Sequence, residues 1–174
     1  MRVLGIDPGY AIVGYGIIEY QNGRYRPAAY GAVTTPAGMA FNTRLEKVYD
    51  DILMLIEKYK PDAVSIEKLF FHTNQKTAIG VAEARGVILL ACMKGGTEIF
   101  EYTPLQVKMA VTGYGRAQKA QIMTVTKSLL GLKETPKPDD TADALALAIC
   151  HCRVAGTALK QKMLKDSQKS AYYS

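Results

Sequence analysis

Two short apolar runs, VLGID (3–7) and AVSIE (63–67), each end on an acidic residue. Runs of this length bounded by turn signals read as strands buried on both faces. The pair Pro8-Gly9 supplies the turn after the first, and Lys68 follows the second directly. Strands buried on both faces need helices on both sides of their sheet, which is the strongest constraint on the fold. It also leaves Asp7 and Glu67 at the carboxyl ends of two strands, where open α/β sheets bind ligands.

The segments around these runs supply the missing layers. VGYGIIEY (13–20) and RYRPAAYGAV (24–33) flank Asn22-Gly23, a strong short hairpin signal. Pro27 suits an edge strand or a bulge. From Asn42, Leu45, Val48, Tyr49, Ile52, Leu55 and Ile56 recur at helical spacing until Pro61. Residues 75–94 read as a long helix with Ile79, Ala82, Gly86, Leu89 and Leu90 on one side, stopped by Gly95-Gly96. EIFEY (98–102) is a short strand. Thr103-Pro104 is an N-cap followed by Pro at the first helical position, opening a helix to about Val111. GYGRA (113–117) is a glycine-containing loop, 118–130 is a helix capped by Gly131, and TPKP (135–138) is a loop. Asp139 opens a last helix whose stripe is Leu145, Ile149 and Cys152, running to about Arg153. The expected architecture is an α/β domain with a mixed sheet covered by helices. One domain spans 1–155, and 156–174 forms a flexible basic tail.

Composition narrows the classes. With 174 residues, 48% hydrophobic and 22% charged, the chain suits a single globular domain rather than a disordered or fibrous one. No apolar run reaches the roughly 18 residues that span a bilayer, and MRVLGIDPG does not read as a signal peptide. Cys92, Cys150 and Cys152 lack C-x-x-C spacing and only His72 and His151 accompany them. Reduced thiols in the cytoplasm are therefore expected, without a zinc site. The net charge of +6 is uneven. Residues 104–138 hold Lys108, Arg116, Lys119, Lys127, Lys133 and Lys137 against Glu134 alone. Residues 153–174 hold Arg153, Lys160, Lys162, Lys165 and Lys169 against Asp166, so the remainder is mildly acidic. That layout suggests a polyanion held beside an acidic site, although a solvated tail and an ordinary surface helix would leave the same trace.

Four acids carry the chemistry. Asp140 and Asp143, three residues apart at the start of the last helix, point from one face. If that helix packs its apolar stripe on the sheet, both acids reach Asp7 and Glu67. A set of carboxylates without imidazole or thiolate is a hard-oxygen site suited to Mg2+ or Mn2+. Mutual repulsion disfavours such a cluster without a cation. Two ions roughly 4 Å apart would activate a water and stabilise a leaving 3′-oxygen. Singly, each acid has an ordinary reading: Asp7 as a turn residue, Asp140 as a helix-start acid, Asp143 as a solvated side chain. The four together outweigh those readings.

LGIDPGYAIVGYGII, SIEKLF, ARGV, QVKMAVTGYGRAQKAQ and PDDTADALALAICH, in this order and spacing, resemble the RuvC family of bacterial Holliday-junction resolvases. The similarity runs from about residue 2 to 153. It implies a ribonuclease H-like fold with a mixed five-stranded sheet flanked by helices, and a homodimer. It also implies Mg2+-dependent nicking of two strands of like polarity at symmetric points of a four-way DNA junction, in recombination and repair. Catalytic and metal-binding roles fall on Asp7, Glu67, Asp140 and Asp143. Two Mg2+ ions per site are expected, replaceable by Mn2+, with Asp7 bridging them. Product ends would be 5′-phosphate and 3′-hydroxyl. Lys108 and Lys119 match basic positions that the family uses near DNA, and Arg116, in the loop between them, joins that set. Phe70 matches the aromatic beside the junction centre, with Phe71 as its neighbour of opposite facing; Asn74 and Arg85 fall in matching segments. The branch-migration proteins RuvA and RuvB are implied as partners. A second class is an actin- or sugar-kinase-like phosphotransferase, whose folds also open on a strand ending Asp-x-Gly, but those need two similar lobes. A third is a non-catalytic junction-binding module, against which the four intact acids argue. A nuclease acting on RNA–DNA hybrids or forks is a further relative.

Overall fold

The computed structural model describes residues 1–68 and 75–172, with side chains described for 1–68 and 78–157. The elements run β1 (Arg2–Asp7), β2 (Ile12–Gln21), β3 (Arg24–Thr34), α1 (Phe41–Tyr59), β4 (Ala63–Glu67), α2 (Gln75–Lys94), β5 (Glu98–Tyr102), α3 (Pro104–Thr112), α4 (Lys119–Leu129) and α5 (Asp139–Tyr172). They build one five-stranded sheet in the order β3-β2-β1-β4-β5. β2 is antiparallel to β1 and β3, whereas β1, β4 and β5 are parallel. The sheet is therefore mixed, as the hairpin followed by strand–helix alternation predicts.

Local chemistry accounts for the joints. Asn22 and Gly23 turn the β2–β3 hairpin with positive φ angles of 50° and 79°, the mirror-image turn geometry that matches strand twist. Pro27 lies on the edge strand, beside a register shift at Ile17/Ile18. α1 ends at Lys60 in the left-handed conformation, and Pro61 follows it. Thr103 caps α3 reciprocally with Gln106.

Strand alternation sorts the core into two layers. Leu4, Ile6, Val13, Ile17, Val64 and Ile66 point to one face and pack with Val48 and Ile52 of α1 and Ile88 of α2. Val3 and Ile18 point to the other face, against Leu145 and Ile149 of α5. Three glycines on that second face, Gly5, Gly14 and Gly16, form a shallow seat for α5. A Cβ on Gly5 would lie 1.9 Å from the Ala144 carbonyl oxygen, and one on Gly16 2.6 Å from Leu145. Ser65 of β4 donates to the Leu147 carbonyl at 2.7 Å. The Tyr102 hydroxyl meets His151 Nδ1 at 2.8 Å. Burial lowers the His151 pKa, so its neutral ring can accept that proton, and the contact pins the middle of α5 to β5.

Two helices differ from the sequence pattern. The buried side of α2 is Ala84, Ile88, Ala91 and Cys92, whereas Ile79, Leu90 and Met93 are exposed. α2 is apolar nearly all round, so periodicity could not choose its inner face. α5 does not stop near Arg153. Gly156 raises its energy without ending it, because the chain that follows has no proline and many good helix formers. Side chains beyond Thr157 lie outside the described residues, as does the flexibility expected of the basic tail.

Candidate active site

Asp7 closes β1 two residues after Gly5, and alternation turns it toward α5. Glu67 closes β4 two residues after Ser65, which bonds to α5, so it faces the same way. The first turn of α5 comes down on β2: a Cβ on Gly14 would lie 2.0 Å from the Asp140 carbonyl oxygen and 2.9 Å from its Cβ. Gly14 is the cross-strand partner of Asp7. Asp140 is thereby set beside Asp7, and Asp143 follows one helical turn on.

The electrostatics report this convergence. Burial, then the charges of Glu67, Asp143 and Asp140, push the Asp7 carboxyl up to about 8, against the pull of Lys119. Burial and Asp143 also raise Glu67, again opposed by Lys119. Lys119, the first residue of α4, puts its Nζ 2.9 Å from Asp143 Oδ2 and 3.5 Å from Asp139 Oδ2. Those bonds raise its own pKa, the hydrogen bond to Asp143 first. Lys119 is thus the built-in counter-cation of an acidic cleft. A hollow of about 220 Å3 opens beside it, lined by Glu67, Lys108, Lys119 and Asp143 over an apolar wall that includes Val107 and Leu147.

The donor set fits a hard divalent cation: every candidate ligand is a carboxylate oxygen, and without added positive charge Asp7 holds a proton near neutrality. Among the described residues, no three His, Cys, Asp or Glu side chains stand close enough to form a closed metal cage. The acids therefore share one electrostatic field while Lys119 occupies Asp143. Two cations and four anions in a half-buried cleft also suit a phosphodiester, whose charge the lysines offset.

The other expected residues separate. Lys108 lines the same hollow, and Arg116 is exposed on the loop before α4. Arg85 is tied to Glu101 at 2.6 Å, on the edge strand β5. Phe70, Phe71 and Asn74 lie outside the described residues. Sequence reasoning passed over the glycine seat and the ion pairs of Lys119. The first had a legible signal, since Gly14 and Gly16 alternate along a strand, the mark of a closely approaching backbone. The second had none, because Lys119 and Asp143 are far apart in the chain.

Residues 3–151 match the family model described as crossover junction endodeoxyribonuclease RuvC. The curated relative of that name from Clostridioides difficile (strain 630) is 60% identical over 151 residues, 87% of this chain and 89% of its own. The one from Caldanaerobacter subterraneus subsp. tengcongensis is 54% identical over 152 residues, 87% of this chain and 92% of its own. Thermus thermophilus RuvC in complex with a Holliday junction substrate superposes with a TM-score of 0.87 at 33% identity, covering 91% of this chain and 96% of that one.

Proposed function

This chain belongs to the RuvC family of crossover junction endodeoxyribonucleases, and from that premise we propose that Asp7, Glu67, Asp140 and Asp143 form its nicking centre. The protein is a hydrolase of ribonuclease H-like fold that acts on Holliday junctions in DNA recombination and repair. The finer reading is paired, symmetric, metal-dependent nicking of two strands of like polarity, leaving 5′-phosphate and 3′-hydroxyl ends. The observation that carries it is the convergence of the acids: Asp140 lies against Gly14, the cross-strand partner of Asp7, and burial, then the charges of Glu67, Asp143 and Asp140, raise the Asp7 carboxyl.

Asp7, Glu67, Asp140 and Asp143 would hold the two Mg2+ ions, or Mn2+ in their place. When bound, these ions supply a nucleophile at neutral pH and offset charge on the scissile phosphate. The protein's part is to gather four carboxylates in a partly dry cleft and to orient the strand. Lys119 offsets the charge of Asp143 and Asp139, and its ammonium, on the wall of the hollow, would also offset charge on a bound phosphate. Lys108 adds a second positive charge on the same wall. Phe70, Asn74 and Arg116 complete the expected DNA contacts. Residues 1–155 act as one nuclease domain and 156–174 as a basic appendage. Joint work with RuvA and RuvB, in the cytoplasm, rests on family membership alone; among the described residues, no helix is long and apolar enough to cross a membrane.

The test is direct: purified protein is given a labelled four-way junction, a linear duplex and an RNA–DNA hybrid, each with Mg2+ or with EDTA. Paired nicks confined to the junction and abolished by EDTA are expected. Nicking of the linear duplex at a comparable rate would overturn the junction assignment, and nicking in EDTA the metal assignment.

Symmetric nicking needs two sites, and α2 supports a two-fold dimer. Ile79, Glu83, Gly86, Leu90 and Met93 fall on one exposed stripe at three- and four-residue spacing, and nothing lies within 4 Å of a Cβ built on Gly86. Leu90→Asp places a charge in that stripe without touching the monomer's core. It should convert the dimer to a monomer in sedimentation equilibrium and replace paired nicks with single ones. A variant that stays dimeric at micromolar concentration would move the interface elsewhere.

A further inference from the structure

A second hollow, of about 430 Å3, is built on the same two helices, α3 and α4, and lined by Thr112, Tyr114, Ala117, Ala120, Gln121, Thr124 and Val125. The two hollows share both helices. Lys108 and Lys119 line the cleft, while Thr112 and Ala120, four residues and one residue further on, line the second hollow. Four helical residues advance about 6 Å, which a DNA strand covers in about two nucleotides at ~3.4 Å of rise each.

The loop between α3 and α4 holds Tyr114 out over this hollow on a defined turn. Gly113 takes the left-handed conformation at φ 75° and its N–H bonds to the Met109 carbonyl at 3.0 Å. The Thr112 hydroxyl accepts the Tyr114 N–H at 3.1 Å, and the Tyr114 carbonyl accepts the Ala117 N–H at 3.1 Å. Gly115 is pressed onto α3: a Cβ there would lie 2.7 Å from Leu105 Cδ1. With the space beneath the loop filled, the Tyr114 ring remains 56% exposed, and Leu105 and Met109 beside it are exposed at 60% and 51%. Leaving an aromatic ring and two large aliphatic side chains in water is unfavourable unless a ligand covers them.

The local charge says which ligand. Lys108 lines the catalytic cleft and Arg116 is exposed two residues after Tyr114, and among the described residues neither forms an ion pair. Residues 104–118 contain no acidic residue. An exposed aromatic with free cations on the same helix and loop is the combination that holds a nucleic-acid strand, the ring taking a base or sugar and the cations the phosphates. Small residues at Ala117 and Ala120 leave room for a flat ring.

We propose that this hollow is an accessory DNA-binding site for the strand leaving the carboxylate cleft, with Tyr114 stacking on a nucleotide and Arg116 contacting a phosphate. The inference rests on the junction-nuclease reading above and adds to it a contact that positions the strand about two nucleotides beyond Lys108.

The experiment measures junction binding in EDTA, where no cutting occurs, by fluorescence anisotropy for the wild type, Tyr114→Ala, Tyr114→Phe and Arg116→Ala. In parallel, junctions carry 5-iododeoxyuridine at the first, second or third nucleotide from the scissile bond mapped with Mg2+, and photocrosslinked peptides are identified by mass spectrometry. Tyr114→Ala should weaken binding by ~5–20-fold, Tyr114→Phe should stay within about twofold, and crosslinks should fall on residues 112–118. Arg116→Ala should reduce the slope of log affinity against log salt by ~0.9. Wild-type affinity in Tyr114→Ala, or crosslinks only elsewhere, overturns the proposal and leaves the patch to a protein partner. A wild type that binds junction no better than linear duplex instead overturns the reading on which it rests.

Discussion

Asp7→Asn should abolish junction nicking, by about 10^3-fold or more, while leaving junction affinity unchanged or slightly higher. Asn keeps the shape of the side chain and removes one anion from the point where four meet. It should also stabilise the metal-free protein at alkaline pH. Burial, Glu67, Asp143 and Asp140 lift the Asp7 carboxyl from 3.8 to about 8, so between those values the native state holds a proton that the unfolded chain has released. Stability is then greatest near pH 4 and falls as pH rises toward 8. In EDTA at pH 8 the variant should exceed the wild type by on the order of 3 kcal/mol, after discounting for solvent screening of a partly exposed group. It should also lose the part of the wild type's decline that Asp7 contributes over that interval, keeping the smaller one from the raised Glu67. Saturating Mg2+ should narrow the gap, because binding to the native state raises the wild type more. Thermal unfolding from pH 5 to 8, with and without Mg2+, reads every part of this. Equal pH slopes in the two proteins would mean that Asp7 does not share a field with the other acids, and loss of junction binding would make it structural.

Gly5→Ala should cost the fold about 3–5 kcal/mol, a fall in melting temperature of roughly 10 °C or more for a chain of this size. The added carbon would lie 1.9 Å from the Ala144 carbonyl oxygen and 2.8 Å from the Ala148 backbone nitrogen. Both are main-chain atoms of a helix whose core residues Ala144, Leu145, Ala148 and Ile149 are fully buried. No rotamer can relieve that contact; α5 must lift from β1. Lifting α5 also withdraws Asp140 and Asp143 from Asp7, so Mg2+-dependent stabilisation should shrink with the melting temperature. Gly38→Ala is the control. It meets nothing within 4 Å and should be neutral or stabilising by up to ~1 kcal/mol. Similar melting temperatures for both variants would show that α5 is not seated as closely as described.

The acids stood out in the chain itself. Asp7 and Glu67 are charges that end apolar runs, and Asp140 and Asp143 share a face by spacing alone. The hairpin at Asn22-Gly23, the N-cap of α3 at Thr103 and the mixed sheet were equally legible, because the turn, the cap and the order of strands and helices are each written in local sequence. Helix periodicity located α2 but not its inner side: Ile79 and Leu90 are as apolar as Ile88, and only packing against α1 and the sheet buries Ile88 and leaves the others in water.

What the amino-acid order alone determined, then, was the element pattern, the acidic strand ends and the basic stretch from Lys108 to Lys137. What the tertiary structure decided was which groups feel one another. Alternation along β1 and β4 turns Asp7 and Glu67 to one face, and a glycine seat lets α5 descend until Asp140 lies against Gly14. α4 then delivers Lys119 to Asp143 across the cleft. Coulomb energies and steric contacts depend on distance in space, and chain separation carries almost no information about that until the sheet and its helices have closed.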